Sequence, residues 1–232
     1  MAKKRKQGMC IYCGERGPIT RDHVPPQSIF PDPKPADRIA VPACRACNDA
    51  FKLDDEYFRT FLVAGSYKNS GARGLWNQKI IGSPNADSIR RILRGSLRDF
   101  EPKTPSGLYL GKAPAVVLDA RRTLRIAARV VLGLWWYHFG TRPECSIRIH
   151  AGRLWDLSAM KQILDACQKS SIGGDVFAYA HGVPPEDTQQ SVWFLQFHSC
   201  ITFFVLAVRK PVESEWMFEV KRGSLMRRNN SG

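Results

Sequence analysis

The sequence predicts an α+β protein: a small cysteine-clasped N-terminal module, a basic helical segment, and a C-terminal antiparallel sheet with helices. Three observations predict it. Two Cys-x-x-Cys pairs, Cys10/Cys13 and Cys44/Cys47, lie near the N-terminus. Apolar residues then recur at helical spacing through residues 88–100 and 119–138, and from Cys145 onward the apolar period shortens to two. These changes of period divide the chain into a disordered basic arm (1–8), the cysteine module (9–64), the basic helical segment (65–140), the α+β module (141–224) and a disordered tail (225–232).

Taken in order, residues 3–7 read as a short basic arm. Pro25, Pro26, Pro31, Pro33 and Pro35 forbid regular structure through the loop between the cysteine pairs. Residues 39–43 form an apolar run suited to a strand that delivers Cys44. Asn48 then starts a helix carried on by Phe51, Tyr57, Phe58, Phe61 and Leu62, apolar at helical spacing. Gly, Ser, Asn and Pro punctuate residues 65–118. One helix is predicted there, over 88–100, with Arg90, Arg91, Arg94 and Arg98 on one side and Ile89, Ile92, Leu93 and Leu97 on the other. A longer helix runs from the N-cap Asp119 to about His138, and its Arg121, Arg125 and Arg129 recur every fourth residue as one ridge. Strands follow at 145–151, 175–181, 192–197, 201–209 and 216–221, with a helix at 154–170.

The four paired thiols are the ligand set of a closed tetrahedral zinc site, which has no open position for catalysis. Cys145, Cys167 and Cys200 stand singly in apolar stretches, as small buried hydrophobes do. A disulfide framework belongs to shorter secreted chains. The basic N-terminus lacks the apolar run of a signal peptide, and the most hydrophobic stretch, 130–139, is too short to span a bilayer. A soluble, cytoplasmic protein with no membrane partner is expected. Net charge is +14, unevenly placed: residues 59–129 carry fourteen Lys and Arg against four Asp and Glu. A field that lopsided favours a polyanion, nucleic acid first. The two arginine ridges read either as solvated helix faces or as a phosphate-contact surface.

Between the pairs lies Thr20-Arg21-Asp22-His23-Val24-Pro25-Pro26, and the second pair runs into Asn48. Cys-x-x-Cys, then Asp22-His23, then Val41-Pro42-Ala43-Cys44-Arg45-Ala46-Cys47-Asn48, resembles the HNH endonuclease family, whose ββα-metal fold hydrolyses phosphodiesters. The match covers about residues 10–58. The resemblance implies His23 as the general base, and Asp22 and Asn48 as ligands of a catalytic Mg2+ or Mn2+, with double-stranded DNA as substrate. The chemistry agrees: a neutral imidazole near pH 7 suits the deprotonation of water, and a hydrated divalent cation suits the charge on a phosphorane. Asn48 also reads as a plain helix N-cap. The family's middle Asn position holds Ile39, with Asp37 the nearest polar substitute, and the lysine after the last motif position is displaced to Lys52. His138, His150, His181 and His198 fall in apolar surroundings and read as core or surface histidines. A non-catalytic zinc protein that binds nucleic acid is the alternative function.

Overall fold

The computed structural model describes residues 6–66, 69–81, 86–117, 119–143, 146–151, 157–184, 190–208, 217–221 and 224–227. The chain opens with β1 (Gln7–Met9), which pairs antiparallel with β2 (Arg16–Val24), and β2 pairs in turn with β3 (Ile39–Cys44). Gln7 is therefore in a strand and not in a free arm; residues 1–5 lie outside the described residues. The proline-rich loop between β2 and β3 holds only a 3-10 turn at Gln27–Ile29.

Two helices replace the single one expected after the second cysteine pair: α1 (Arg45–Ala50) and α2 (Lys52–Gly65), separated at Phe51. The N-cap of α1 is Cys44, whose Sγ accepts from Cys47 N. Asn48 thus sits inside α1 and does not start it, which removes the capping explanation for its presence. Next come α3 (Ser70–Leu75), a π-helical turn at Trp76–Ile81, and α4 (Ala86–Ser96). The helix expected over 88–100 stops at Ser96, because Leu97–Phe100 is a strand, β4, paired with β5 (Ala113–Val116) in a two-stranded sheet of its own. Arg98 consequently leaves the arginine face of α4.

The helix α5 (Ala120–Phe139) begins as expected: Asp119 accepts from the backbone N–H of Arg121 and Arg122. It ends at Gly140, whose φ of +65° suits the left-handed cap that glycine adopts without strain. The C-terminal half comprises β6 (Ser146–Ala151), α6 (Leu157–Ala166), β7 (Gln168–Ile172), β8 (Phe177–Gly182), β9 (Ser191–Phe197), β10 (Ile201–Val208), β11 (Met217–Lys221) and β12 (Ser224–Arg227). The helix expected over 154–170 is shorter because Gln168–Ile172 joins the sheet, and residues 225–227, expected in a tail, belong to its edge strand. The seven strands run in the order β12-β11-β6-β10-β9-β8-β7, every pair antiparallel.

Period-two alternation gives this sheet two apolar faces. Trp193, Leu195 and Phe197 of β9, with Phe203, Val205 and Ala207 of β10, join Leu124–Trp135 of α5 in one buried cluster. That cluster also takes in Cys10, Ile11, Tyr12, Val41, Phe51 and Phe58, so a single core runs from the cysteine module to the sheet. The opposite face carries Ala180, Phe194 and Phe204, packed with Met160 and Leu164 of α6. Helix α5 is the centre of the molecule: it touches α2, β2 and β3 on one side and β6 and β10 on the other. Gly133 allows the close approach to β2, since a Cβ there would collide with the side chain of Val24. Among the described residues, no helix is long and apolar enough to cross a membrane.

Candidate metal centre and adjoining polar cavity

The turn after β1 places Cys10 and Cys13 on one side of the thiol cluster. Gly14 N–H donates to Cys10 O at 2.8 Å, Cys10 N–H to Glu15 O at 2.9 Å, and Gly14 itself has φ +80°. On the other side, β3 ends at Cys44 and the first turn of α1 presents Cys47. All four Sγ atoms lie within 4.8 Å of one another, with Cys13 and Cys44 3.9 Å apart. Zinc–sulfur bonds of about 2.3 Å in a tetrahedron put the sulfurs roughly 3.8 Å apart. The thiols are free of disulfides, and burial, then the neighbouring thiols, push the Cys47 thiol far above its ordinary value. Four thiols this close ionise together only with a cation among them, so metal binding and folding of the clasp are coupled. The residues fit a structural Zn2+.

Next to this clasp lies a polar cavity of about 450 Å³, lined by β2, α1, α2 and α5. Asp22 and His23 from β2 and Asn48 from α1 all border it. The structure thus brings together the three residues that the motif singles out. His23 is half-buried, and burial holds its pKa below the ordinary 6.5, with Arg38 adding to the effect and Asp22 opposing it. Its imidazole is neutral at pH 7. Asn48 Nδ2 donates to Thr20 Oγ1 at 3.2 Å, and Thr20 Oγ1 donates to Ala43 O at 2.9 Å. With its NH2 group used on Thr20, the amide oxygen is the atom Asn48 has to offer a cation.

Asp22 has stronger partners than the sequence suggests. Its Oδ2 accepts from Tyr12 OH at 2.6 Å and from Arg129 Nε at 3.0 Å, while Oδ1 accepts from Arg129 Nη2. Arg129 Nη1 donates to Asp55 Oδ1 at 2.6 Å, and its guanidinium lies 4.4 Å from the centre of the Phe51 ring. The Asp55 carboxyl is pushed up to about 6 by burial, against the pull of Arg129. Arg129 is only 1 % exposed. The helix face expected to carry a solvent-facing ridge is therefore an internal ion-pair ladder: Arg122 Nε and Arg125 Nη1 hold Asp54 at 2.8 and 2.9 Å. Of the ridge residues only Arg121 is exposed, and Arg129 is removed from any phosphate-contact surface. Arg91, Arg94 and Arg98 are exposed; the Arg90 side chain lies outside the described residues.

A carboxylate offers about four lone-pair sites, so Asp22 Oδ1 keeps one beyond its arginine bond. Asp22 and Asn48 both line the cavity, and both oxygens of Asp22 are already engaged by Arg129. Four basic residues (Arg21, Lys52, Arg59 and Arg129) and three carboxylates (Asp22, Asp55 and Glu56) border the cavity. Arg129 is already paired with Asp22 and Asp55, which leaves Arg21, Lys52 and Arg59 as the basic groups of the wall beyond the ion-pair ladder. Glu56 Oε1 and Arg59 Nε are buried and have no hydrogen-bond partner among the described residues. Orphans of this kind mark a place for a ligand. Lys52 figures in the motif only as its displaced lysine; Asp55, Glu56 and Arg59 follow it at i+3, i+4 and i+7, a polar stripe on one face of α2 that the motif does not include. Ile39, at the middle motif position, is buried and pairs with Val24, and Asp37 is exposed. His23 lies in β2 and is held by its pairing with β3, where it opposes Ala40, and not by a side-chain amide.

No protein-family model matches the chain, and it matches neither a curated protein nor a solved structure.

Proposed function

We propose that the chain is a zinc-stabilised, metal-dependent endonuclease of the HNH type that hydrolyses phosphodiester bonds in DNA. The observation that carries this reading is the shared cavity: a neutral, half-buried His23 beside Asn48 and Asp22, on a strand pair and helix clasped by four thiols. His23 takes a proton from the attacking water. A divalent cation held by Asp22 and Asn48 would supply Lewis-acid stabilisation of the charge on phosphate and leaving oxygen. Arg59 and Lys52 from α2 and Arg21 from β2, which line the same cavity, meet the phosphate oxygens and orient the diester. Tyr12 and Arg129 fix the Asp22 carboxylate, so the ligand does not have to be ordered when substrate arrives.

Cleavage of supercoiled plasmid with Mg2+, Mn2+ or EDTA tests the reading. The wild type cuts only with the cation. His23→Ala keeps its fold, zinc and DNA affinity and loses roughly a hundredfold or more in rate. Asp22→Ala and Asn48→Ala lose activity, with Asn48→Asp retaining part of it through its oxygen. Wild-type protein that cuts no nucleic acid under any of these conditions sinks the nuclease reading. A non-catalytic zinc protein that binds nucleic acid then takes its place, and one observation favours it: Arg129 already occupies the Asp22 carboxylate.

A further inference from the structure

We propose that the ribbon formed by residues 97–117 is an arm that enters a groove of duplex DNA, with an apolar tip that wedges against the bases. The ribbon is closed upon itself. Leu97 pairs with Val116 and Phe100 with Ala113, an isolated bridge joins Lys103 to Tyr109, and Leu110 N–H donates to Pro102 O at 2.9 Å. The tip is a tight turn: Gly107 (φ +86°) donates to Thr104 O at 2.8 Å, and Leu108 N–H to Thr104 Oγ1 at 3.0 Å. β4 and β5 form a sheet of two strands, and such a ribbon is marginal in water by itself.

Its surface is not that of a spare loop. Phe100 is 55 % exposed, Leu108 64 %, Tyr109 47 % and Leu110 60 %. They stand among the few large apolar side chains that the described residues leave open to solvent, and three of them are consecutive just past the turn. An exposed apolar cluster of this kind marks an interaction site. The surrounding charge selects the partner. Residues 86–117 carry six Lys and Arg against three Asp and Glu, and α4, which runs straight into the ribbon, exposes Arg91 and Arg94. Directly opposed residues of an antiparallel pair share a face, so Lys103 and Tyr109 form a basic–aromatic pair near the tip. Two-stranded ribbons enter DNA in either groove, and apolar side chains inserted between base steps from the minor groove kink the duplex. Arginines at the base of the arm contact phosphates and set its register.

The inference needs nucleic acid as partner but not catalysis, so it is tested on full-length protein in EDTA. Binding of a fluorescent 30-base-pair duplex is measured by anisotropy, and its bending by energy transfer between dyes on the two ends. The expected result is that L108S/Y109S/L110S, which changes exposed residues only, keeps wild-type thermal stability. It should lose roughly tenfold or more in affinity and lose the bend. R91Q/R94Q should keep the bend and lower the slope of log affinity against log salt by up to about 0.9 per lost contact. Unchanged affinity and unchanged bending in the triple variant overturn the proposal. So does a wild-type dimer, seen by light scattering, that the triple variant dissociates, because the ribbon is then an interface between copies of this chain. Failure of plasmid cleavage with duplex binding and bending intact rejects the nuclease and leaves the arm standing.

Discussion

Replacing Arg129 by Met tests the ion-pair ladder at its most buried point. The substitution keeps an unbranched, helix-compatible stem and deletes the guanidinium, which donates to both oxygens of Asp22, to Tyr12 OH and to Asp55. Two carboxylates are left facing each other in a region where Asp22 is 4 % exposed. Breaking a buried pair by removing one partner costs about 3–5 kcal/mol, and for a chain of this length each kcal/mol is worth about 2–4 °C. A fall in Tm of about 6–20 °C is expected at pH 7. The stranded carboxylates protonate more readily in the folded state than in the unfolded one, so the deficit should narrow as pH falls from 7 towards 4. Urea unfolding followed by tryptophan fluorescence measures both effects, with Trp135 and Trp193 in the common core as reporters. Arg129→Met with Asp22→Asn should recover part of the loss, since the second change removes one of the unpaired charges. A solvent-facing arginine would cost no more than about 0.5 kcal/mol. A loss that small, independent of pH, refutes the buried ladder.

Further outcomes follow from the same geometry. Purified protein should hold about one zinc per chain, and Ser at Cys10, Cys13, Cys44 or Cys47 should release it and unfold the clasp, read by elemental analysis and circular dichroism. Gly133→Ala would stabilise an exposed helix, but here the added methyl meets Val24, so a loss of about 1–3 kcal/mol is expected, measured by urea unfolding. His181 titrates at about 4, because burial disfavours its cation and His138 adds repulsion, with the two rings 4.2 Å apart. Its folded value lies below the ordinary 6.5, so the unfolded chain binds the proton first, and stability falls as pH drops from about 6.5 to about 4. His181→Gln should remove part of that slope in unfolding measured at steps across the window.

The readable parts of the fold were those whose signal is local. The cysteine pairs, the strand leading into Cys44, the Asp119 cap and the alternating strands of the sheet all declare themselves within a few residues. What misled was pattern without partner. Arginines at every fourth position look the same whether they face water or carboxylates, and Asp54 and Asp55 lie far away in sequence on α2. The continuous helix expected from Asn48 onward breaks at Phe51, because Cys44 starts one helix and Lys52 another. Leu97–Phe100 continues a helical apolar pattern and Gln168–Ser170 lies at the end of an expected helix, yet both are in strands, drawn out by pairing that no local window contains. At the candidate site Asp22, His23 and Asn48 were legible through their motif. Asp55, Glu56 and Arg59 carry no such signal, because a charged helix face is ordinarily a solvated one.

The position of α5 bears on what can be done with this protein. Arg122, Arg125 and Arg129 reach across to α2 and β2, and Arg142, just beyond the helix, donates to Tyr12 O at 3.0 Å inside the thiol clasp. The motif-bearing stretch is thus completed from a part of the chain well downstream of it. Cutting after α2 would strip Asp22, Asp54 and Asp55 of their counter-charges and uncover the apolar sides of β2 and β3. The N-terminal stretch is not a cassette that can be lifted out by itself. A grafted version must carry α5 with it, and whatever bears on the sheet beneath α5 bears also on the carboxylate beside His23.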